Sequence, residues 1–176
     1  MNIILVGFSG AGKTTVGREI SKLANMGFID TDTLIERRSG LIIQDIFKYY
    51  GQRYFRYVEK EIINELRFTK NKVISTGGGA FISKNNIENL KATGVVFFLN
   101  ASMDTILREG TPANRPLLVN EDRIMIEKLY NSRMPFYKKA DYELYIDNKT
   151  PYTIAKEIIN IFCSYRKNYG NIKESF

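Results

Sequence analysis

The sequence predicts an α/β fold in three layers, αβα, with helices on both faces of a five-stranded parallel sheet. Short apolar runs alternate along the chain with longer segments of helical periodicity, as they do in parallel sheets. The first apolar run, residues 3–6, leads into residues 7–14, GFSGAGKT, whose G-x-x-x-x-G-K-[ST] spacing is that of a P-loop. A helical pattern follows at residues 15–25, which completes the strand, loop and helix that this motif requires.

The other elements follow in chain order. Further strands are predicted at residues 27–30, 73–76, 95–99 and 142–146, and further helices at residues 33–39, 42–50, 52–68, 83–92, 103–109, 121–140 and 151–165. Gly51 separates two of these helices, and Pro151 suits the first turn of the last one. Pro135 predicts a kink in its helix or an end near Arg133.

One domain is expected over residues 1–166, followed by a polar tail at residues 167–176. Small insertions into the alternating pattern are predicted at about residues 31–66 and 110–120. The second insertion has two prolines, a glycine and Arg115 between clear helices, so it is either a plain connection or an active-site lid.

The composition excludes several classes of protein. The single cysteine, Cys163, excludes a disulfide framework, and the absence of histidine excludes a catalytic triad built on that residue. The sequence has no basic n-region and no apolar stretch of membrane-spanning length, so a cytoplasmic protein without a membrane partner is expected. The net charge of +7 comes from scattered basic pairs, which favours anionic small molecules in a cleft over nucleic acid.

The P-loop motif predicts a cradle for phosphate oxygens. Its glycines allow backbone N–H groups to turn toward an anion, and the helix that follows adds the positive end of its dipole. Lys13 is expected to reach the β- and γ-phosphates of a nucleotide, and the Thr14 hydroxyl to hold Mg²⁺. The predicted nucleotide-binding residues of this segment are Gly10, Ala11, Gly12, Lys13, Thr14 and Thr15.

Asp30 and Asp32 follow the second predicted strand and are the only carboxylates at a predicted strand end near the P-loop. The carboxyl ends of parallel strands form the edge where ligands bind. One of the two acids can serve the metal, and the other can contact a substrate hydroxyl as base or orienter. The alternative is that one of them, Asp32 in particular, only caps the following helix.

Three arginines are candidates for binding anionic groups. Arg56 and Arg133 are expected near the ligand-binding edge, where an arginine fork can hold a carboxylate, although an arginine considered alone is more often a surface or ion-pair residue. Arg115 can stabilise the transferred phosphoryl group when its segment closes. Gly77, Gly78 and Gly79 end a strand and permit either close approach of a ligand or only a turn.

Taken together, these pieces resemble the shikimate kinase family over residues 3 to about 162. The segments that carry the resemblance are GFSGAGKTTVG at 7–17, DTD at 30–32, FRYVE at 55–59, STGGGA at 75–80, RPLL at 115–118 and RMPFY at 133–137. The P-loop by itself is common to many proteins, whereas the other five segments in this order are far more selective.

The resemblance implies transfer of the γ-phosphate of ATP to the 3-hydroxyl of shikimate, on the route to chorismate and aromatic amino acids. It implies a nucleoside-monophosphate-kinase-like fold with a lid at about residues 110–120 and a helical substrate-binding region at about residues 31–66. It further implies Mg²⁺ as cofactor, ATP and shikimate as ligands and no nucleic-acid partner, and we expect a monomer.

Residue roles are carried over from the family to matching positions. Lys13, Asp32 and Arg115 are expected to be catalytic, with Asp32 as candidate base and Arg115 on the lid. Thr14 and Asp30 are expected at the metal, and Arg108 and Arg115 at the nucleotide. The expected substrate-binding residues are Asp32, Phe47, Phe55, Arg56, Gly77, Gly78, Gly79 and Arg133, the two arginines holding the carboxylate.

One position departs from the family pattern. Gln52 stands where the family usually has glutamate, which bears on substrate affinity and not on the reaction class.

Two other functions stay open. A kinase of another polyol acid such as gluconate would keep the P-loop and lid, but it leaves the segments at 55–59 and 75–80 unexplained. A nucleotide-binding regulatory or nucleic-acid-associated module would need no small acceptor.

Overall fold

The computed structural model describes residues 1–108 and 123–169, and its centre is a five-stranded sheet in the order β2-β3-β1-β4-β5. The strands are β1 (Asn2–Val6), β2 (Gly27–Asp30), β3 (Lys72–Ser75), β4 (Gly94–Asn100) and β5 (Tyr142–Tyr145). All four neighbouring pairs are parallel. The predicted fold class and all five strands are confirmed.

Helices connect the strands and cover the sheet. They are α1 (Lys13–Ala24), α2 (Thr31–Ser39), α3 (Ile43–Glu65), α4 (Lys84–Thr93), α5 (Met103–Arg108), α6 (Arg123–Tyr137) and α7 (Pro151–Tyr169). The chain steps from β1 outward to β2 and then returns across the sheet, so right-handed crossovers place α1 on one face and α3 and α4 on the other. Helix α7 packs against α1.

The core lies between the sheet and these helices. Every residue of β1 is buried, as expected for the central strand of a parallel sheet. The apolar stripe of the second half of α3 is buried through Phe55, Val58, Ile62, Ile63 and Leu66. Asn2, a buried polar residue in β1, is fully bonded, because its amide donates to Thr69 O and Thr93 O and accepts from Lys72 N.

The carboxyl ends of three strands lie level with one another. The Cα of Ser75 in β3 pairs with Leu5 on one side and with Asp30 on the other. The segments that follow β1, β2 and β3 therefore begin at the same edge of the sheet, and this edge holds the candidate site described below.

Two helix boundaries differ from the sequence-based prediction. Helix α2 begins at Thr31, two residues early, because the Asp30 carboxylate caps it by accepting from Asp32 N and Thr33 N. Helix α6 continues through Pro135, so the alternative of an end near Arg133 is wrong, and it ends at Tyr137, before the predicted residue 140. Arg133 and Tyr137 therefore lie one turn apart on the same helical face.

The last helix ends only slightly later than the sequence predicted. Helix α7 begins at Pro151 as predicted and continues to Tyr169, one turn beyond the predicted end. The predicted lid at about residues 110–120, with Arg115, lies outside the described residues, as do the last seven residues of the predicted tail. Within the described part of the chain, no helix is long and apolar enough to cross a membrane.

Gly51 divides α3 into two halves, as the sequence predicted. Its backbone dihedrals, φ 73° and ψ 176°, fall in a region that is essentially restricted to glycine, although a Cβ at this position would meet no atom within 4 Å. The break turns the second half of α3, which carries Phe55 and Arg56, relative to the first half, which carries Phe47.

We predict that Gly51→Ala lowers the free energy of unfolding by about 1–3 kcal/mol, because alanine is strained at these dihedrals. The matched control is Gly40→Ala, which is also free of contacts but has the milder left-handed dihedrals φ 68° and ψ 12°. Urea denaturation of both variants measures the difference. A Gly51→Ala protein as stable as the wild type would contradict the prediction.

Candidate active site

The P-loop passes from β1 to α1 along the level edge of the sheet. Gly7 has φ 144°, and a Cβ there would lie 2.6 Å from Leu99 O, so the loop can leave β1 beside β4 only without a side chain. The buried Lys13 side chain returns across the loop, and its Nζ donates to Gly7 O at 2.9 Å and to Phe8 O at 2.8 Å. These contacts hold the ammonium group inside the cradle of the loop.

The P-loop opens into a cavity of about 160 Å³. The cavity is lined by Ser9, Gly10, Gly12, Lys13, Thr14, Thr15, Asp30, Asp32, Thr76 and Gly78. The fold thus brings the predicted phosphate-binding residues together with both predicted acids and with one glycine of the loop that follows β3. Donor groups for an anion and carboxylates for a hydroxyl or a metal share one space.

Thr14 and Asp30 form the candidate metal site. The Thr14 hydroxyl donates to Asp30 Oδ2 at 2.8 Å, and its oxygen lies 3.3 Å from Ser75 Oγ. The other oxygen of Asp30 caps α2, which fixes the orientation of the carboxylate. Hard oxygen donors of this kind suit Mg²⁺, which keeps several waters and phosphate oxygens as further ligands. Among the described residues, no three or more acids, cysteines or histidines are arranged so that they could hold a metal ion by themselves.

Asp32 lies in the first turn of α2 and does not cap it, so the capping alternative applies to Asp30 instead. Its Oδ1 is buried and has no hydrogen-bond partner within the described part of the chain. The pKa of Asp32 is raised to about 7, chiefly by burial and to a smaller extent by the carboxylates of Asp30 and Glu59, while Lys13 opposes the shift. A carboxyl group with a pKa near neutrality is suited to accept a proton from a substrate.

Gly77 permits the close approach of the Asp32 carboxylate, because a Cβ at this position would lie 2.5 Å from Asp32 Oδ1. A side chain at position 77 would force the Asp32 carboxylate to move. The Gly77 N–H donates to Thr31 Oγ1 at 3.0 Å, so α2 also fixes the start of the glycine loop, residues 77–79.

Arg56 is held against the glycine loop by an ion pair. Its Nη1 donates to both carboxylate oxygens of Glu59, at 2.8 and 2.7 Å, and Glu59 is buried. Burial raises the pKa of Glu59, and Arg56 opposes this shift. The guanidinium also lies where a Cβ of Gly79 would be, so only glycine leaves room for it. Arg56 is therefore an ion-pair arginine that also faces the glycine loop.

Arg133 reaches the same loop from α6. It is buried, its guanidinium lies over the Phe8 ring at 5.4 Å, and its Nη1 donates to Gly78 O at 3.4 Å. The Tyr137 hydroxyl donates to the same carbonyl. Two predicted substrate arginines thus lie on either side of residues 77–79.

Two further features involve predicted site residues. Phe47 and Phe55 pack together with ring centroids 4.8 Å apart, one from each half of α3.

A second pocket of about 150 Å³ shares Gly10, Gly12 and Thr15 with the phosphate cavity, and its other lining residues include Asn148, Lys149 and Pro151. The Arg108 side chain and all of Arg115 lie outside what the structure describes, so their predicted roles stay predictions.

Sequence reasoning assigned no role to four polar residues that make contacts in the site: Thr31, Glu59, Ser75 and Tyr137. Two of them had a local signal. Glu59 follows Arg56 by three residues on a predicted helix, and Tyr137 follows Arg133 by four, which are the spacings of side chains that share a helical face. The other two had no such signal, because their partners are distant in sequence.

The residues that line the phosphate cavity all lie in the part of the chain that matches one known protein family. The profile of the family described as "Shikimate kinase" matches residues 9–162, which include the P-loop lysine, both acids, the glycine loop and both arginines. The chain belongs to the shikimate kinase family. The predicted family and the predicted enzyme class, an ATP-dependent kinase of shikimate, are thereby confirmed.

Individual members of the shikimate kinase family match nearly the full chain. A shikimate kinase of Clostridium botulinum (strain 657) is 46% identical over 172 residues, which are 96% of this chain and 98% of that protein. A shikimate kinase of Caldanaerobacter subterraneus is 40% identical over 92% of this chain and 95% of its own.

Solved structures of shikimate kinases have the same fold as this chain. The shikimate kinase from Acinetobacter baumannii in complex with shikimate has a TM-score of 0.89 and 37% identity, covering 94% of each chain. A gluconokinase from Sinorhizobium meliloti has a TM-score of 0.57 and 12% identity, a likeness of fold alone. The gluconate alternative therefore has no support beyond the shared architecture.

We predict that Asp32→Asn stabilises the fold at alkaline pH. The folded protein retains the Asp32 proton up to about pH 7, whereas an unperturbed aspartate loses it near 3.8. Stability of the wild type is therefore lost as the pH rises between these two values, and asparagine removes this loss. Urea denaturation at about pH 5 and about pH 8 should show the larger gain at the higher pH.

The control for this measurement is Asp104→Asn, which changes an exposed carboxylate on α5 and should give no such pH-dependent gain. If Asp32→Asn were less stable than the wild type at about pH 8, the Asp32 carboxylate would be favourably bound and the proposed cause of its raised pKa would be wrong.

Proposed function

We propose that this chain transfers the γ-phosphate of ATP to the 3-hydroxyl of shikimate through the residues gathered around the glycine loop. The observation that carries the assignment of roles is one shared cavity, in which Lys13, Asp32 and Gly78 meet. The A. baumannii relative, at 37% identity, was solved in complex with shikimate, which supports the same acceptor here.

The acceptor carboxylate is held by Arg56 and Arg133. The two guanidinium groups approach the glycine loop from α3 and α6, and Glu59 and Phe8 restrict their orientation. Two charges on one carboxylate fix the ring, so that binding energy offsets much of the entropic part of the reaction barrier. Phe47 and Phe55 form the apolar wall of the ring, and the backbone of Gly77–Gly79 is the polar one.

Asp32 accepts the proton of the reacting hydroxyl. As the bond between the acceptor oxygen and the γ-phosphorus forms, the bond from that phosphorus to the β-phosphate oxygen breaks, ADP leaves, and the hydroxyl proton passes to Asp32. The transition state is loose and places charge on the phosphoryl oxygens. Lys13 and the P-loop amides stabilise that charge.

Thr14 and Asp30 fit a magnesium ion, since both present oxygen donors at the edge of the phosphate cavity. A magnesium ion held there would supply positive charge to the phosphate groups of ATP. Thr14 would bind the ion directly and Asp30 directly or through water, while the Ser75 hydroxyl, 3.3 Å from that of Thr14, restricts its orientation.

The remaining roles complete the proposal. Arg115, on a lid at about residues 110–120, would add charge to the transferred group, and Arg108 would lie against adenine beside the pocket bordered by Asn148. We further infer a monomeric, cytoplasmic enzyme of chorismate biosynthesis that needs neither nucleic acid nor a membrane.

The acceptor is tested by measuring ADP release from MgATP with shikimate, quinate, gluconate or no acceptor. We expect stimulation by shikimate alone, and loss of turnover in Lys13→Ala, which lacks the ammonium group in the phosphate cradle. Equal, weak turnover with all four would reject the acceptor while leaving nucleotide binding intact.

We predict that Arg56→Gln raises the KM for shikimate about ten- to a hundredfold and changes the KM for ATP little, because a charged hydrogen bond contributes about 1.5–3 kcal/mol. The matched control is Arg38→Gln, which removes an exposed arginine that is also paired with a glutamate. Steady-state kinetics with each substrate varied in turn separates the two constants. A rise confined to ATP would place Arg56 outside the acceptor site.

A further inference from the structure

Tyr137 makes a buried contact with the acceptor site that the reaction above does not use. It lies at the end of α6, is fully buried, and stacks on Phe98 of β4 with ring centroids 5.1 Å apart. Its hydroxyl donates to Gly78 O, across 59 residues of sequence. Because this hydrogen bond is buried, it restrains the orientation of the Gly78 carbonyl within the glycine loop.

The carbonyl in question is shared with Arg133. Arg133 Nη1 donates to Gly78 O at 3.4 Å, which is long for such a bond, and the Tyr137 hydroxyl donates to the same oxygen. Arg133 also forms a hydrogen bond with the Tyr137 side chain. The guanidinium, which lies over the Phe8 ring, is therefore oriented in part by the tyrosine.

Peptide geometry extends the effect to the next residue. The bond between Gly78 and Gly79 is planar and trans, so a carbonyl directed at Tyr137 turns the Gly79 N–H in the opposite direction. Glycines have no side chain to restrain them and are conformationally permissive. The loop is restrained instead from outside, at its first residue by Thr31 Oγ1 and at its second by Tyr137.

We propose that Tyr137 is a positioning residue for the acceptor: its hydroxyl holds the Gly78 carbonyl and contacts Arg133, and thereby sets the orientation of the Gly78–Gly79 peptide and of the Arg133 guanidinium. The inference rests on the proposed function, because it assigns the glycine loop and Arg133 to the acceptor. Tyr137 itself touches no reacting group and acts through these two.

The protonation state of the tyrosine suits this role. Burial raises the pKa of Tyr137 to about 12, with Arg133 opposing the shift, so the hydroxyl remains a donor over the whole range in which the enzyme can be assayed. The contribution of Tyr137 to acceptor binding should therefore be independent of pH over this range.

The test is Tyr137→Phe, which removes the hydroxyl and keeps the ring on Phe98. The KM for shikimate should rise about three- to tenfold, the change that corresponds to one lost hydrogen bond, while the KM for ATP stays within about twofold. The ratio of variant to wild-type KM for shikimate should be the same at about pH 6.5 and about pH 8.5. Shikimate binding without nucleotide, measured by calorimetry, should weaken by the same factor.

The matched control is Tyr130→Phe. This residue is two turns earlier on the same helix, and its hydroxyl also donates to a backbone carbonyl, Ala101 O, and to the Asn100 side chain, away from the glycine loop. The control should lose a similar amount of thermal stability and keep the wild-type KM for shikimate. Thermal denaturation of both variants checks that each is folded under assay conditions.

Three outcomes would overturn the inference. A Tyr137→Phe enzyme with lowered thermal stability and an unchanged KM for shikimate would make the hydroxyl purely structural. An equal rise in the KM for shikimate in Tyr130→Phe would show that any disturbance of α6 weakens acceptor binding, and not the loss of the Tyr137 hydroxyl in particular. A wild-type protein that does not phosphorylate shikimate would reject the proposed function, and the inference with it, whereas the first two outcomes leave the proposed function standing.

Discussion

The position of β3 between β1 and β2 is the constraint on which the whole site depends. Ser75 at the end of β3 pairs with Leu5 of β1 and with Asp30 of β2, so the three strands end level. The P-loop, the acidic turn and the glycine loop leave the sheet side by side for this reason. Because β3 lies between β1 and β2, its carboxyl end places the glycine loop between the phosphate cradle and the acids.

This edge concentrates charge in a poorly solvated space, and each charged group is stabilised differently. Lys13 donates to two loop carbonyls, Glu59 has both oxygens bound by Arg56, and Arg133 lies on an aromatic ring. Asp32 alone has a carboxylate oxygen without a hydrogen-bond partner in the described chain. Its desolvation is a cost to stability that the buried sheet and helices offset, as is common where a protein holds a reactive group.

The acceptor side is built largely from backbone, which needs outside support. Residues 77–79 carry no side chains, and their absence makes room for the Asp32 carboxylate and the Arg56 guanidinium. The resulting freedom of the backbone is limited by side chains from α2 and α6. Helix α6 is also the first element described after the segment predicted to be the lid, so the chain connects that segment directly to the residues that orient the glycine loop.

The sequence by itself determined the P-loop, the alternation of strands and helices, the break at Gly51, the start of α7 at Pro151 and the family, because each depends on spacing along a short stretch of chain. It also supplied every residue that the site proposal uses from the P-loop, the acidic turn and the two arginine segments. These features are local, and the physical rules that link spacing to structure apply to them directly.

Only the tertiary structure decided the strand order, the capping of α2 by Asp30 instead of Asp32, and the continuation of α6 past Pro135. It also decided the partners of the glycine loop. Thr31 and Tyr137 lie 46 and 59 residues from the atoms they bind, and no local pattern encodes a contact across such a distance. Which polar groups meet depends on how the sheet and its helices pack, and that packing also sets the burial that raises the pKa of Asp32.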